Sequence, residues 1–234
     1  MTLKLSARNL SMRFKDRVLF YIPEIKIGPN EAVYLKGDNG VGKTTLLKIF
    51  AGLVEPTDGE IDFPSPSWFK RALGIRTRRD IIYLHQSPYL FDGTVYQNVA
   101  YGVKYGGECK LEKRNRVITA LRMVGLETLA EEHVSLLSGG EKQRVAMARA
   151  WILNPSILLM DEPSASLDQE SIDRLVVMSK DLLSRGASLV ITSHQSNALT
   201  QLCQKQWCIE NKSLSEKPLL QLIQEKHYAI SNAN

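Results

Sequence analysis

"AVYLKGDNGVGKTTLLKIF", residues 32–50, places a short apolar run, a glycine-rich turn and an amphipathic helix in direct succession. Gly37, Gly40 and Gly42 let the backbone curl. The N–H groups of the turn, those of Asp38, Asn39 and Val41 included, then face inward, and the start of a helix behind them favours an anion. The spacing GxxxxGK[ST] puts Lys43 within reach of the β and γ phosphates of a nucleotide. It also offers the Thr44 hydroxyl to Mg²⁺, with Thr45 next in the same helical turn. A dinucleotide fingerprint is excluded, because GxGxxG requires glycine where Asn39 stands.

Outward from that stretch, three more apolar runs recur: "IIYLH" (81–85), "SILLM" (156–160) and "SLVITS" (188–193). Unbroken runs without alternation fit parallel strands buried on both faces. Helical segments at 43–52, 139–153 and 169–185 lie between them, so the expected class is α/β with a mainly parallel sheet. "RVLFYIPEIKI" (17–27) alternates more and reads as an antiparallel arm. The stretch 87–133 is mostly helical and reads as an insertion beside the core sheet. "EPTDGE" (55–60), "FPSPS" (63–67) and "KYGGE" (104–108) are turns or loops.

The chemistry lies at the carboxyl end of each run. The first run leads into the glycine turn, the second into Gln86, the third into Asp161 and Glu162, and the fourth into His194. Ligands of open α/β sheets bind outside the carboxyl ends of the strands, so these distant positions share one edge. Asp161 is placed to share Mg²⁺ with Thr44. Two adjacent carboxylates repel unless a cation offsets them, which favours a functional role for the pair. Glu162 is read as the base, or the group orienting water, for attack on the γ phosphate. His194 is read as holding that water or sensing the γ phosphate, and Gln86 as touching Mg²⁺ or the attacking water.

A second glycine-containing helix start lies at "VSLLSGGEKQRVAMARA", residues 134–150. Ser138 and Glu141 form a capping box, and Pro155 stops the helix. A well-capped helix accounts for those residues but not for Gly139 and Gly140, each up to about 1 kcal/mol worse than alanine in a helix. Close approach of a ligand to bare backbone would offset that.

"GDNGVGKTT", Gln86, "LSGGEKQ", "ILLMDEP", "SASLD" and "SH" at His194 stand in the order of the Walker A loop, Q-loop, signature, Walker B, D-loop and H-switch of ATP-binding cassette (ABC) ATPases. The chain resembles that family over nearly its whole length. The resemblance implies a single ABC ATPase domain over 1–234 on a P-loop NTPase core. It also implies an antiparallel β subdomain, a helical subdomain about 87–136, and a short tail about 211–234. ATP and Mg²⁺ are the implied cofactors. Two such domains pack head to tail, so that Ser138, Gly139, Gly140 and Glu141 of one meet the γ phosphate held by the P-loop of the other. Phe14 stands where the family places an aromatic that stacks on adenine, and Asp168 where a residue crosses the dimer to support the partner's site. Gln195 follows His194 where Asp is common.

The implied biology is an ATPase subunit of a bacterial importer, working as a homodimer against integral membrane permease subunits, with a substrate-binding protein delivering cargo. A short helix of the permease would dock between Gln86 and the helical insertion. The stretch 84–104 looks most similar to oxyanion uptake systems, tungstate in particular. The cassette itself would touch no cargo. Two rivals remain: a P-loop kinase of metabolites, which has no use for the signature or the carboxylate tandem, and a non-transport cassette acting on nucleic acid or ribosomes.

Composition bounds these readings. The chain has 234 residues, 44% hydrophobic, enough for a real core, and a formal net charge of +5. Basic residues gather at 69–79 and 110–116, without the aromatic interleaving that base stacking needs, so they read as solvated faces. No apolar stretch is long enough to span a bilayer, and the N-terminus turns polar at Ser6. The expected location is cytoplasmic, peripheral on the inner face of the cell membrane. Cys109, Cys203 and Cys208 have no metal-ligand spacing and read as packing residues.

Overall fold

The apolar runs become strands; those at 157–160 and 188–192 are buried throughout, while the run at 81–84 lies at the sheet edge and is only half-buried. In the computed structural model, which describes residues 5–63, 81–103, 109–165, 167–194 and 196–219, β3 (Ala32–Gly37), β5 (Ile81–Leu84), β6 (Ile157–Met160) and β7 (Ser188–Thr192) lie parallel in the order β3-β7-β6-β5. Every residue of β6 and β7 is buried. Period-two alternation sends Val33 and Leu35 to one apolar cluster, Ala32 and Tyr34 to the other. A run with two buried faces has no position left for a polar residue until the strand ends, which is why the polar groups collect at the carboxyl edge.

The first cluster is closed by α1 (Lys43–Phe50) together with β1 (Leu5–Phe14) and β2 (Arg17–Ile27), an antiparallel pair that β4 (Asp58–Asp62) extends. The second is closed by α2 (Val95–Ala100), α3 (Lys110–Met123), α4 (Gly139–Ile152) and α5 (Gln169–Ser184). Val99, Val117 and Leu121 from the helical stretch belong to the same buried cluster as Met160 and Leu189 of the sheet. The helical segment therefore shares the core of the sheet. The helix behind the signature ends at Ile152, and Asn154, at φ 48°, turns the chain in the left-handed region before Pro155.

Besides β4, which takes Asp58, Gly59 and Glu60 out of the stretch 55–60 read as a turn, two further strands were not announced by their residues. β8 (Lys205–Glu210) pairs parallel to β3, and β9 (Ser213–Pro218) turns back against β8 and lies parallel to β2. The sheet among the described residues runs β4-β1-β2-β9-β8-β3-β7-β6-β5. "SLSEKP" is polar and largely exposed, so hydrophobicity marks it as tail. Its backbone is nevertheless what joins the antiparallel arm to the parallel strands.

Cys203 and Cys208 are buried as expected, but Cys109 is exposed. Its sulfur accepts the Glu112 N–H at 3.5 Å while its own N–H donates to Glu112 Oε2 at 2.9 Å, so it caps α3 and does not pack. The basic stretch 110–116 lies on α3 and is mostly exposed, a solvated face. The stretches 69–79 and 104–108, Gln195 and the tail from 220 lie outside the described residues. Among the described residues no helix is long and apolar enough to cross a membrane.

Candidate functional site

The glycine turn delivers α1 with an open N-terminus. Its capping position is Gly42 at φ 110°, with no side chain on the first N–H groups. A Cβ there would lie 2.9 Å from the Phe20 ring, so glycine is required both by conformation and by space. Those N–H groups and the helix dipole remain for an anion. Lys43 is buried, its ammonium donating to the carbonyls of Gly37 at 2.7 Å and Asp38 at 3.0 Å. Arg17, which sequence reasoning missed, donates to the Gly40 carbonyl at 3.1 Å from the start of β2. Thr44 is exposed at the head of α1.

A cavity of about 420 Å³ opens beside this loop, lined among others by Phe14, Gly40, Lys43, Thr44, Thr45 and Glu162. The antiparallel arm thus brings a half-exposed aromatic ring, Phe14, to the same space as the P-loop and the carboxylate from β6.

The polar groups at the strand ends meet. Glu162 is tied on both oxygens, accepting from Gln86 Nε2 at 3.0 Å on Oε2 and meeting His194 Nε2 at 2.6 Å on Oε1. Glu162 itself sits at φ 49°, in a region that costs a non-glycine residue on the order of 1–3 kcal/mol and that recurs at functional sites. Its N–H donates to Thr192 Oγ1 at 2.8 Å. Asp161, 4% exposed, accepts from Thr192 Oγ1 at 2.9 Å on Oδ1 and from the Tyr83 hydroxyl at 2.9 Å on Oδ2. Burial, then the neighbouring Asp161 charge, push the Tyr83 hydroxyl well above its ordinary pKa, so it stays a donor. Tyr83 and Thr192 were not singled out by the sequence, where they read as ordinary strand residues.

The donor set suits Mg²⁺. Thr44, Asp161 and the amide carbonyl of Gln86 are all hard oxygen donors. Asp161 is a buried carboxylate whose hydrogen-bond donors are two neutral hydroxyls, and a buried carboxylate without a cation is the group a divalent ion would complete.

The signature is not part of this cluster. Ser138 caps α4 by accepting the Glu141 N–H at 3.3 Å, and Glu141 accepts the Ser138 N–H at 2.8 Å and hydroxyl at 2.7 Å. Those bonds from Ser138 hold the Glu141 carboxyl below the usual carboxylate range. A Cβ on Gly139 would meet nothing within 4 Å, and one on Gly140 would meet Leu167 at an ordinary 3.5 Å. Nothing within the described chain requires either glycine. Gly139→Ala should therefore leave the melting temperature unchanged or raise it, by up to about 1 kcal/mol of helix propensity. Turnover should fall by about a hundred-fold if another surface must approach that backbone; retained turnover would show that the glycine is dispensable. Asp168 caps α5, accepting the Ser171 N–H at 2.9 Å, and its hydrogen bonds to Ser171 hold its carboxyl low.

A second, larger cavity of about 630 Å³ lies between β5 and the helices. Ile82, Phe91, Tyr101, Val103 and Leu153 make it apolar and aromatic. Arg149 stands in its wall, donating to the Tyr89 carbonyl at 2.8 Å and lying 5.3 Å from the centre of the Phe91 ring.

Residues 23–165 match the family described as ABC transporter. The chain is 37% identical over 194 residues to the Fe(3+) ions import ATP-binding protein FbpC of Vibrio cholerae, covering 82% of this chain and 54% of that protein. It is 29% identical over 215 residues to the tungstate uptake system ATP-binding protein TupC of Peptoclostridium acidaminophilum, covering 92% of this chain and 98% of that protein. The chain spans about half the length of the iron and methionine import relatives it matches, 45% to 58%. Among solved structures it superposes on cbiO1 from Clostridium perfringens, part of the ABC transporter complex cbiONQ, with TM-score 0.80 and 27% identity over 97% of this chain and 92% of that one. It also superposes on the ATP-binding cassette MJ0796, solved as a dimer in a post-hydrolysis state with ADP and Pi, with TM-score 0.74 and 26% identity over 92% and 98%.

Proposed function

The chain belongs to the ABC transporter family, and from that premise we propose that it hydrolyses ATP as the peripheral, cytoplasmic subunit of an importer. The observation that carries this is the meeting of Gln86, Glu162 and His194 within hydrogen-bond distance, with Glu162 lining the P-loop cavity. Phe14 offers a π face to the adenine ring. The N-terminus of α1 and Lys43 hold the phosphates. Thr44, Asp161 and Gln86 would hold Mg²⁺, which when bound neutralises phosphate charge. Glu162 takes the proton of the attacking water, released for this by a shift of Gln86 or His194, and His194 then keeps that water and the γ phosphate in line.

The site needs a second copy of the chain. Among the described residues nothing requires Gly139 or Gly140 to be glycine, which supports their meeting the nucleotide held by a partner cassette. Asp168 would reach across the same interface from its place at the head of α5. The apolar cavity beside β5 suits a short amphipathic helix of a permease subunit, because its aromatic floor would bury the apolar face of that helix. The domain is read as one unit over 1–234.

The cargo proposed is an oxyanion of the tungstate class, delivered by a substrate-binding protein. What supports it is the likeness to a tungstate uptake subunit matched along nearly its whole length. The test is to purify the complex with its membrane subunits and titrate the associated binding protein with tungstate and molybdate. Capture of either, with stimulation of ATP turnover by the loaded protein, is the expected result. Failure to bind both overturns the oxyanion assignment and leaves the ATPase reading standing.

A further inference from the structure

We propose that Tyr83 and Thr192 are positioning residues for the carboxylate tandem, setting the orientation of Asp161 from the two strands that flank it. The proposal rests on the reading of Asp161 as the carboxylate that faces Mg²⁺.

The placement comes from register. β6 lies between β5 and β7, with Tyr83 opposite Leu159 and Met160 opposite Ile191. Leu159 and Val190 face the α1 side of the sheet. Counting by two along each strand puts Asp161 and Thr192 on that same side. Tyr83 also packs against the α1-side cluster. Three polar side chains from three adjacent strands thus converge on one side of the sheet.

The hydrogen bonding is divided between the two carboxylate oxygens. Tyr83 donates to Oδ2 and Thr192 to Oδ1, each at 2.9 Å. A carboxylate held once on each oxygen has its plane fixed and keeps one further acceptor position per oxygen. The Thr192 hydroxyl has a second task. It accepts the Glu162 N–H at 2.8 Å and so holds the backbone of Glu162 in its left-handed conformation. One buried hydroxyl, on a side chain 0% exposed, therefore sets both members of the tandem. The Thr192 hydroxyl also stands 3.5 Å from the Met160 carbonyl, but its shorter contact, at 2.9 Å, is with Asp161. Bonding to a buried carboxylate, in a site whose other oxygen donors suit Mg²⁺, points to preorganisation of that carboxylate for the metal.

The test measures metal-dependent binding apart from turnover. ATP binding to the full chain is followed by calorimetry in EDTA and then across a Mg²⁺ titration, for the wild type, Asp161→Asn, Tyr83→Phe, Thr192→Val and Thr192→Ser. Wild type should bind ATP more tightly with Mg²⁺, and Asp161→Asn should lose most of that gain. Tyr83→Phe should leave binding in EDTA unchanged and raise the half-saturating Mg²⁺ concentration by about ten-fold, the loss of one hydrogen bond to a charged group. Thr192→Val should act in the same direction from the opposite strand, and Thr192→Ser, which keeps the hydroxyl, should restore the wild-type titration. If wild type and Asp161→Asn behave as stated but Tyr83→Phe matches the wild type or needs less Mg²⁺, the positioning role is overturned and the metal reading survives. If Mg²⁺ has no effect on wild-type binding, or Asp161→Asn keeps the full effect, the metal reading fails and the positioning role falls with it. An equal loss of binding in EDTA and in Mg²⁺ would show a merely structural role and also overturn the proposal.

Discussion

Glu162→Gln is expected to lower steady-state ATP turnover by roughly 10²–10⁴-fold, the range a positioned general base contributes, while ATP still binds. Glutamine has nearly the shape of glutamate, so the contact of Oε1 with His194 can be kept and the P-loop cavity is not reshaped. What is lost is the ability to take a proton. The bond that Gln86 makes to Oε2 also changes character, since two amide nitrogens would face one another unless one of them turns. Phosphate release measured against a parallel binding titration separates the two effects. Turnover near that of the wild type would remove Glu162 from the role of base.

Lys43→Ala should abolish useful ATP affinity. The ammonium is buried and donates to the two carbonyls at the start of the loop, so it is held in place before any phosphate arrives. Charge-assisted hydrogen bonds are worth about 1.5–3 kcal/mol each. Two of them to phosphate oxygens correspond to an affinity loss of roughly a hundred-fold or more at about 1.4 kcal/mol per ten-fold. The substitution also takes the ammonium donor away from the Gly37 and Asp38 carbonyls, so a small fall in melting temperature should accompany it. Calorimetric titration with ATP is the check, and unchanged binding would refute the assignment.

Much of this site was legible in the sequence because its residues come directly after buried strands. A parallel strand covered on both faces must be apolar throughout and can turn polar only where it ends. The positions of Gln86, Asp161, Glu162 and His194 at the ends of apolar runs were therefore visible as a change of composition. The P-loop was visible because its turn needs glycine at fixed spacing. Tyr83 and Thr192 were not visible for the same reason in reverse: aromatic and β-branched residues are what a strand is made of, and only the lateral order β7-β6-β5 shows their hydroxyls reaching one carboxylate. β9 escaped because a strand paired on both sides through its backbone needs no apolar side chains. Arg17 escaped because an arginine opening a strand looks like a surface charge until the arm folds against Gly40. Cys109 reads as a packing residue because a thiol capping a helix has the same sequence appearance as a buried one.

A site shared between two chains has a direct physical measure. Glu162→Gln is expected to bind ATP without turning it over, so the closed state should accumulate, and its mass can be read by light scattering after size exclusion with and without saturating Mg²⁺ and ATP. The expected mass is one chain without nucleotide and two chains with it, the pairing being lost again when Ser138 or Gly139 is replaced by a bulky residue. A mass of one chain at saturating Mg²⁺ and ATP, with the permease subunits present to exclude a weak isolated dimer, would contradict the shared site.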